Sequence, residues 1–152
     1  GMATVGEMHV APNSRNIIPG EIRFTIDIRH PDHDMLEAMD AEVRAAFARC
    51  RDAERLEGEL SDVSYNPPVP FDADILDIIR RQTAALGLKG RDIVSGAGHD
   101  AFHLAKVCPT AMIFTPCKDG ISHHESEDIT REWAEAGTNV LLRAAIELAE
   151  RV

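Results

Sequence analysis

The sequence is poor in positive charge: sixteen Lys and Arg stand against twenty-six Asp and Glu, a formal net charge of −10 over 152 residues. Binding a phosphate backbone needs a basic face that releases counterions, so no nucleic-acid partner is expected. Long apolar runs are missing too. Nothing approaches the ~20 residues of a membrane-spanning helix, and no signal-peptide core stands near the start, so no membrane partner is expected. Cysteine is scarce: Cys50, Cys108 and Cys117 are odd in number and form no CxxC pair. That argues against a disulfide framework or a four-cysteine zinc knot. What is present is ordinary for a folded protein, with 44% hydrophobic and 28% charged residues, far from a disordered composition. A chain of this length buries roughly 70% of its unfolded surface, enough for one core or two small ones. The chain reads as soluble, acidic and cytoplasmic. Gly1 ahead of Met2 has the look of a residue left by tag removal and is set aside from the fold argument.

Asn66-Pro67-Pro68-Val69-Pro70 divides the chain, because three prolines in four positions continue neither a helix nor a central strand. Residues 1–66 are expected to form an α+β part. Thr4 to Val10 reads as a strand. Glu21 to Arg29 reads as a second, with Ile22, Phe24, Ile26 and Ile28 alternating with polar residues. Pro19-Gly20 is a turn signal that allows a hairpin. After His30-Pro31-Asp32 a helix is expected to about Ala53, with Leu36, Met39, Val43, Phe47 and Cys50 as its buried stripe. A third strand is expected over Glu57 to Tyr65. Residues 67–152 alternate as α/β: helix Asp74 to Leu86, strand Arg91 to Ser95, helix His99 to Val107, strand Thr110 to Pro116, and helix Asp128 to Arg151 capped by Asp128. Ala111 to Thr115 is a continuous apolar run, as in a strand covered on both faces. Both parts look short of the layers that would cover them.

Four of the seven histidines lie between positions 99 and 124. His99 and His103 stand four apart in His99-Asp100-Ala101-Phe102-His103, which imitates a zinc-binding helix pattern, although the preceding Gly96-Ala97-Gly98 makes the helix begin at His99 itself. The loop from Asp119 to Glu127 concentrates His and Glu after a strand and suits a divalent metal or a solvated polar turn. Cys117 lies near His123 and His124, but no oxyanion hole or orienting group marks a nucleophilic pair. Arg29 ends its strand on the polar face, where a guanidinium can hold a carboxylate with two parallel bonds or remain solvated.

Asn16-Ile17-Ile18-Pro19-Gly20 leading to Arg29, Ser95-Gly96-Ala97-Gly98-His99-Asp100-Ala101, and Gly120-Ile121-Ser122-His123 together resemble the hydantoinase/carbamoylase family of zinc-dependent amidohydrolases. The family includes N-carbamoyl-L-amino-acid hydrolases, allantoate amidohydrolases and β-ureidopropionases. The three motifs occur in the family's order and span nearly the whole chain. The resemblance implies the C-terminal portion of a dinuclear metal hydrolase: residues 1–66 the end of a lid and dimerisation domain, residues 67–152 the closing section of an α/β catalytic domain. It implies that Asn16 and Arg29 bind a substrate carboxylate, that Gly98 and His99 touch the substrate, and that His123 is a metal ligand with Glu127 supporting its loop. It also implies Zn2+, or Mn2+, Co2+ or Ni2+, in the complete enzyme, a homo-oligomer through the lid half, and a small substrate bearing a carboxylate.

The family's other metal ligands and its general base have no counterpart here. One histidine does not hold a catalytic zinc, which takes about three or four protein ligands. The isolated chain is therefore expected to be inactive, while the parent reaction is attack of metal-activated water on a carbamoyl or ureido carbon. Two alternatives stay open: a stable non-catalytic association module, or an independent small metallohydrolase built on His99, His103 and His123.

Overall fold

The computed structural model describes residues 1–151. By their contacts the residues fall into two units, Gly1–Pro68 and the stretch from Val69 onward.

The first unit is a hairpin backed by one helix. Strand β1 (Met2–Ala11) pairs antiparallel with β2 (Glu21–Arg29), from Met2 opposite Arg29 to Ala11 opposite Glu21, with a bulge between Val5 and Glu7. The bulge follows from the sequence. Apolar residues in β1 fall on odd positions at Ala3 and Val5, then on even positions at Met8 and Val10. One extra residue, Gly6, lets all four face apolar partners: Ile28, Ile26, Phe24 and Ile22.

Helix α1 (His33–Ala53) starts where Asp32 takes an extended conformation and its carboxylate accepts the Met35 N–H at 2.9 Å, satisfying one of the orphan donors of the first turn. Its stripe is buried at Leu36 and half-buried at Met39, Val43 and Phe47. Cys50, expected in the core, is exposed. The reason is width: a helix with its side chains is about 10–12 Å across, whereas two strands stand only about 4.8 Å apart. A two-stranded sheet cannot cover the whole stripe.

Glu57 to Tyr65 is not a strand. It runs back along α1, fastened by side chains: Gly58 against Phe47, Asp62 on the Arg44 guanidinium, and Tyr65 Oη to His33 Nδ1 at 2.8 Å. Fourteen helical residues from His33 to Phe47 span about 21 Å, and seven residues between Gly58 and Tyr65 cover that distance when extended. Its apolar signal was weak, and Val63 is 90% exposed.

In the second unit α2 (Ala73–Ala85) packs on α4 (Arg131–Ala149). Ile78, Val140 and Ala144 are buried between them, Ile78 completely. Asp72 caps α2, its carboxylate accepting the Ile75 N–H at 2.9 Å. Helix α4 begins three residues later than expected: Thr130, not Asp128, is its cap and accepts the Trp133 N–H at 3.3 Å. Asp128 instead turns its carboxylate to the Ile129 N–H and gives its carbonyl to Lys118 N–H. Helix α3 is shorter than expected, Asp100–Leu104, and a 3-10 turn covers Lys118–Gly120. Neither Arg91 to Ser95 nor Thr110 to Pro116 is a strand, and the second is half-buried rather than covered on both faces. A strand exists only as part of a ladder, and among the described residues these runs have no strand partner. The 110–116 run is placed instead by Thr110 O, which accepts the Asp72 N–H at 2.9 Å, and by the approach of Thr115 to Gly137. No helix among the described residues is long and apolar enough to cross a membrane.

Candidate functional site

In the first unit, Asn16 lies in the exposed loop joining the strands, and its amide oxygen accepts the Ser14 hydroxyl at 2.8 Å. Arg29 closes β2 at the other end of that strand. Its guanidinium meets Asp27 in a two-pronged pair, Nε to Oδ1 at 2.9 Å and Nη2 to Oδ2 at 2.6 Å. Alternation along the strand places both side chains on one face. The hydrogen bond from Arg29 holds the Asp27 carboxyl below its usual range, and the same bond raises Arg29. Both side chains are about half exposed, so water screens the pair and it contributes little to stability. The pair fixes the plane of the guanidinium, with a carboxylate in its two-pronged fork.

In the second unit, Ser95 to His99 forms a tight turn. Ser95 Oγ accepts the Ala97 N–H at 3.2 Å, lies 3.3 Å from Ala97 O, and stands 3.1 Å from His99 Nε2. His99 precedes α3 with extended backbone angles, φ −139° and ψ 156°. Phe114 meets its ring edge-on at a centroid distance of 5.6 Å. Gly98 has open space where a Cβ would stand. Because His99 is outside the helix and His103 inside it, the spacing of four does not put both imidazoles on one helical face. His103 is exposed and packs edge-on against Phe102.

The loop after the 3-10 turn is held by its own side chains. His123 has a positive φ of 59°, the left-handed region that non-glycine residues seldom occupy. Its backbone N–H is captured by Glu127 Oε2 at 2.8 Å. His124 turns Nδ1 to the Ser126 hydroxyl at 2.8 Å. Cys117 makes no hydrogen bond with a histidine among the described residues, so the structure provides no activated Cys–His pair.

A divalent metal asks for several converging donors. Among the described residues no group of three His, Cys, Asp or Glu side chains could hold one. The donor set of this chain does not by itself fit a catalytic metal, and His99, His103 and His123 form no such group. Sequence reasoning had passed over the parts played by Asp27 and Ser95. Asp27 carried a signal, its place two residues before Arg29 on the same strand face; Ser95 carried none beyond its place in the glycine-rich motif.

A hairpin backed by one helix, followed by a second unit of helices and extended runs, carries an arginine fork, a glycine-rich turn ending in histidine and a histidine loop. Residues 2–147 match the sequence pattern of peptidase family M20/M25/M40, and the chain belongs to that family. It is 45% identical over 148 residues to an N-carbamoyl-L-amino-acid amidohydrolase of Rhizobium meliloti, covering 97% of this chain and 36% of that protein. It is 30% identical to an allantoate amidohydrolase of Bacillus subtilis strain 168, over 96% of this chain and 35% of the relative. The crystal structure of an amidase of the hydantoinase/carbamoylase family from Burkholderia multivorans superposes with a TM-score of 0.89 at 54% identity, over 94% of this chain and 35% of that one. The chain thus spans about a third of the length of the relatives it matches.

Proposed function

We propose that this chain is the C-terminal, substrate-holding part of a metal-dependent amidohydrolase that cleaves the carbamoyl or ureido C–N bond of N-carbamoyl amino acids or allantoate. Residues 1–66 are the end of a lid that associates with a second copy, and residues 67–152 the end of the catalytic domain. Asn16 and Arg29 hold the substrate carboxylate, Gly98 and His99 contact the rest of the substrate, and His123 contributes one metal ligand to a set completed elsewhere. The observation that carries this reading is the two-pronged geometry of the Arg29 guanidinium, which Asp27 occupies here and a substrate carboxylate takes over on binding. The likeness to N-carbamoyl-L-amino-acid and allantoate amidohydrolases supports the substrate class.

On this reading the isolated chain does not turn over N-carbamoyl amino acids, for want of metal ligands and a general base. The alternative of an independent small metallohydrolase needs three converging donors, and no such group exists among the described residues. The test is to splice this chain in place of the corresponding third of the Rhizobium meliloti relative and assay it on an N-carbamoyl amino acid. Arg29→Lys should fail nearly as badly as Arg29→Ala, because an ammonium does not reproduce the two-bond fork. The loss should fall on kcat/KM by about 10–100-fold, the worth of a charge-assisted bond of roughly 1.5–3 kcal/mol. Unchanged kinetics for Arg29→Lys would remove Arg29 from the site.

A further inference from the structure

We infer that Ser95 is a positioning residue that fixes His99 as the Nε2–H tautomer and leaves Nδ1 with its lone pair as the acceptor offered to a ligand. The inference comes from counting protons at one oxygen. Ser95 Oγ has three neighbours: Ala97 N at 3.2 Å, Ala97 O at 3.3 Å and His99 Nε2 at 3.1 Å. The Ala97 N–H can only donate to it. The hydroxyl has one proton, which goes either to Ala97 O or to His99 Nε2.

If the proton goes to the imidazole, the bond to Ala97 O is lost and two bonds remain. If it goes to Ala97 O, His99 must bring its own proton on Nε2, and all three bonds form. The oxygen then donates once and accepts twice, its full capacity. The second arrangement keeps one bond more, which biases the tautomers by about three- to tenfold. Ser95, Ala97 and His99 are all half-buried, so water replaces a lost bond only in part.

Nδ1 has no hydrogen-bond partner among the described residues. In the Nε2–H tautomer it is purely an acceptor, and its ligand must present a donor. Carbamoyl and ureido groups present N–H donors, so the tautomer suits the substrate class of the proposed function, on which this last step rests. Phe114 lies edge-on against the ring, and Ser95 sets which nitrogen carries the proton.

The tautomer is read directly by long-range 1H–15N correlation of the histidine side chains in this chain, at a pH above imidazole titration. His99 should show Nε2 protonated and Nδ1 bare, with a slowly exchanging Nε2 proton. In Ser95→Ala that proton should exchange at least about threefold faster, in line with the lost bond, and an Nδ1–H population should become measurable. Ser95→Thr, which keeps the hydroxyl, should restore the wild-type pattern. A His99 that is mainly Nδ1–H in the unaltered chain, or unchanged spectra in Ser95→Ala, or a Ser95→Thr variant that behaves like Ser95→Ala, would each overturn the inference. No substrate is used, so failure of the Arg29 kinetics leaves this result standing, and failure here leaves the Arg29 test intact.

Discussion

Replacing Ile78 with alanine should unfold the second unit at denaturant concentrations the native chain withstands. Ile78 on α2 is fully buried, and Val140 and Ala144 on α4, the helix that α2 packs against, are 4% exposed. The substitution removes three carbon atoms, worth about 0.8 kcal/mol each in lost transfer energy, or about 2.4 kcal/mol. The cavity left where two helices hold each other apart adds to this, for a total of roughly 2.5–4 kcal/mol. A unit of this size is stable by only roughly 4–12 kcal/mol, so the loss takes a large share. Ile78→Val removes one carbon and should cost about 0.5–1.5 kcal/mol. The one tryptophan, Trp133, lies in α4 and reports this unit; the one tyrosine, Tyr65, lies in the first. With a urea slope of about 1–1.5 kcal/mol per molar, the Trp133 midpoint in Ile78→Ala should fall by about 1.7 M or more. A Trp133 midpoint within about 0.5 M of the native value would show that α2 and α4 are not held together at Ile78.

Glu147 accepts Gln82 at 2.7 Å, Arg81 at 2.5 Å and Arg151 at 2.7 Å, and these bonds, Gln82 first, hold its carboxyl down to about 2 from its usual 4.5. Its contribution is thus complete above about pH 4.5 and disappears as pH falls through 2; the urea midpoint read at Trp133 should drop across that window, and Glu147→Gln should flatten the drop. Gly137→Ala should destabilise α4 despite a gain in helix propensity of about 0.8–1 kcal/mol, because the new Cβ would lie 2.4 Å from Thr115 Cγ2. In a Thr115→Ser background the same change should become stabilising, and a double-mutant cycle that shows no coupling would refute the contact.

The elements read correctly from sequence are those that local pattern determines. The alternation in β2 and the stripe of α1 each needed only residues within a turn or two, and α2 and α4 lie close to the ranges expected for them. The failures are non-local. Glu57 to Tyr65, Arg91 to Ser95 and Thr110 to Pro116 have strand-like composition, but strand formation requires a partner, and composition says nothing of whether one is there. Cys50 had helical spacing and lost its cover for the same reason. The cap of α4 failed differently: Asp128 and Thr130 are both good caps, and the bond from Lys118 N–H to Asp128 O ties Asp128 to the preceding loop. In the second unit, Gly96-Ala97-Gly98 rightly marked a helix start, but His99 became the residue before the helix and so lost its shared face with His103.

Four of the positions proposed to handle substrate or metal are each held by a near neighbour in the sequence. Asn16 is bonded by Ser14, Arg29 by Asp27, His99 by Ser95, and the His123 backbone by Glu127. Every one of these partners lies within four residues along the chain. Closing such short loops costs little entropy compared with bringing distant segments together. Among the described residues, Leu36, Ile78, Val140 and Ala144 are the buried apolar ones, while Ile18 and Val63 stand 90% exposed. A functional side chain has to be held in place by its surroundings. Local pairs meet that need independently of the core. The Ser95 turn at His99 and the Glu127 bond at His123 are therefore set within short stretches of sequence, the same stretches that carry the motifs by which the family resemblance was read.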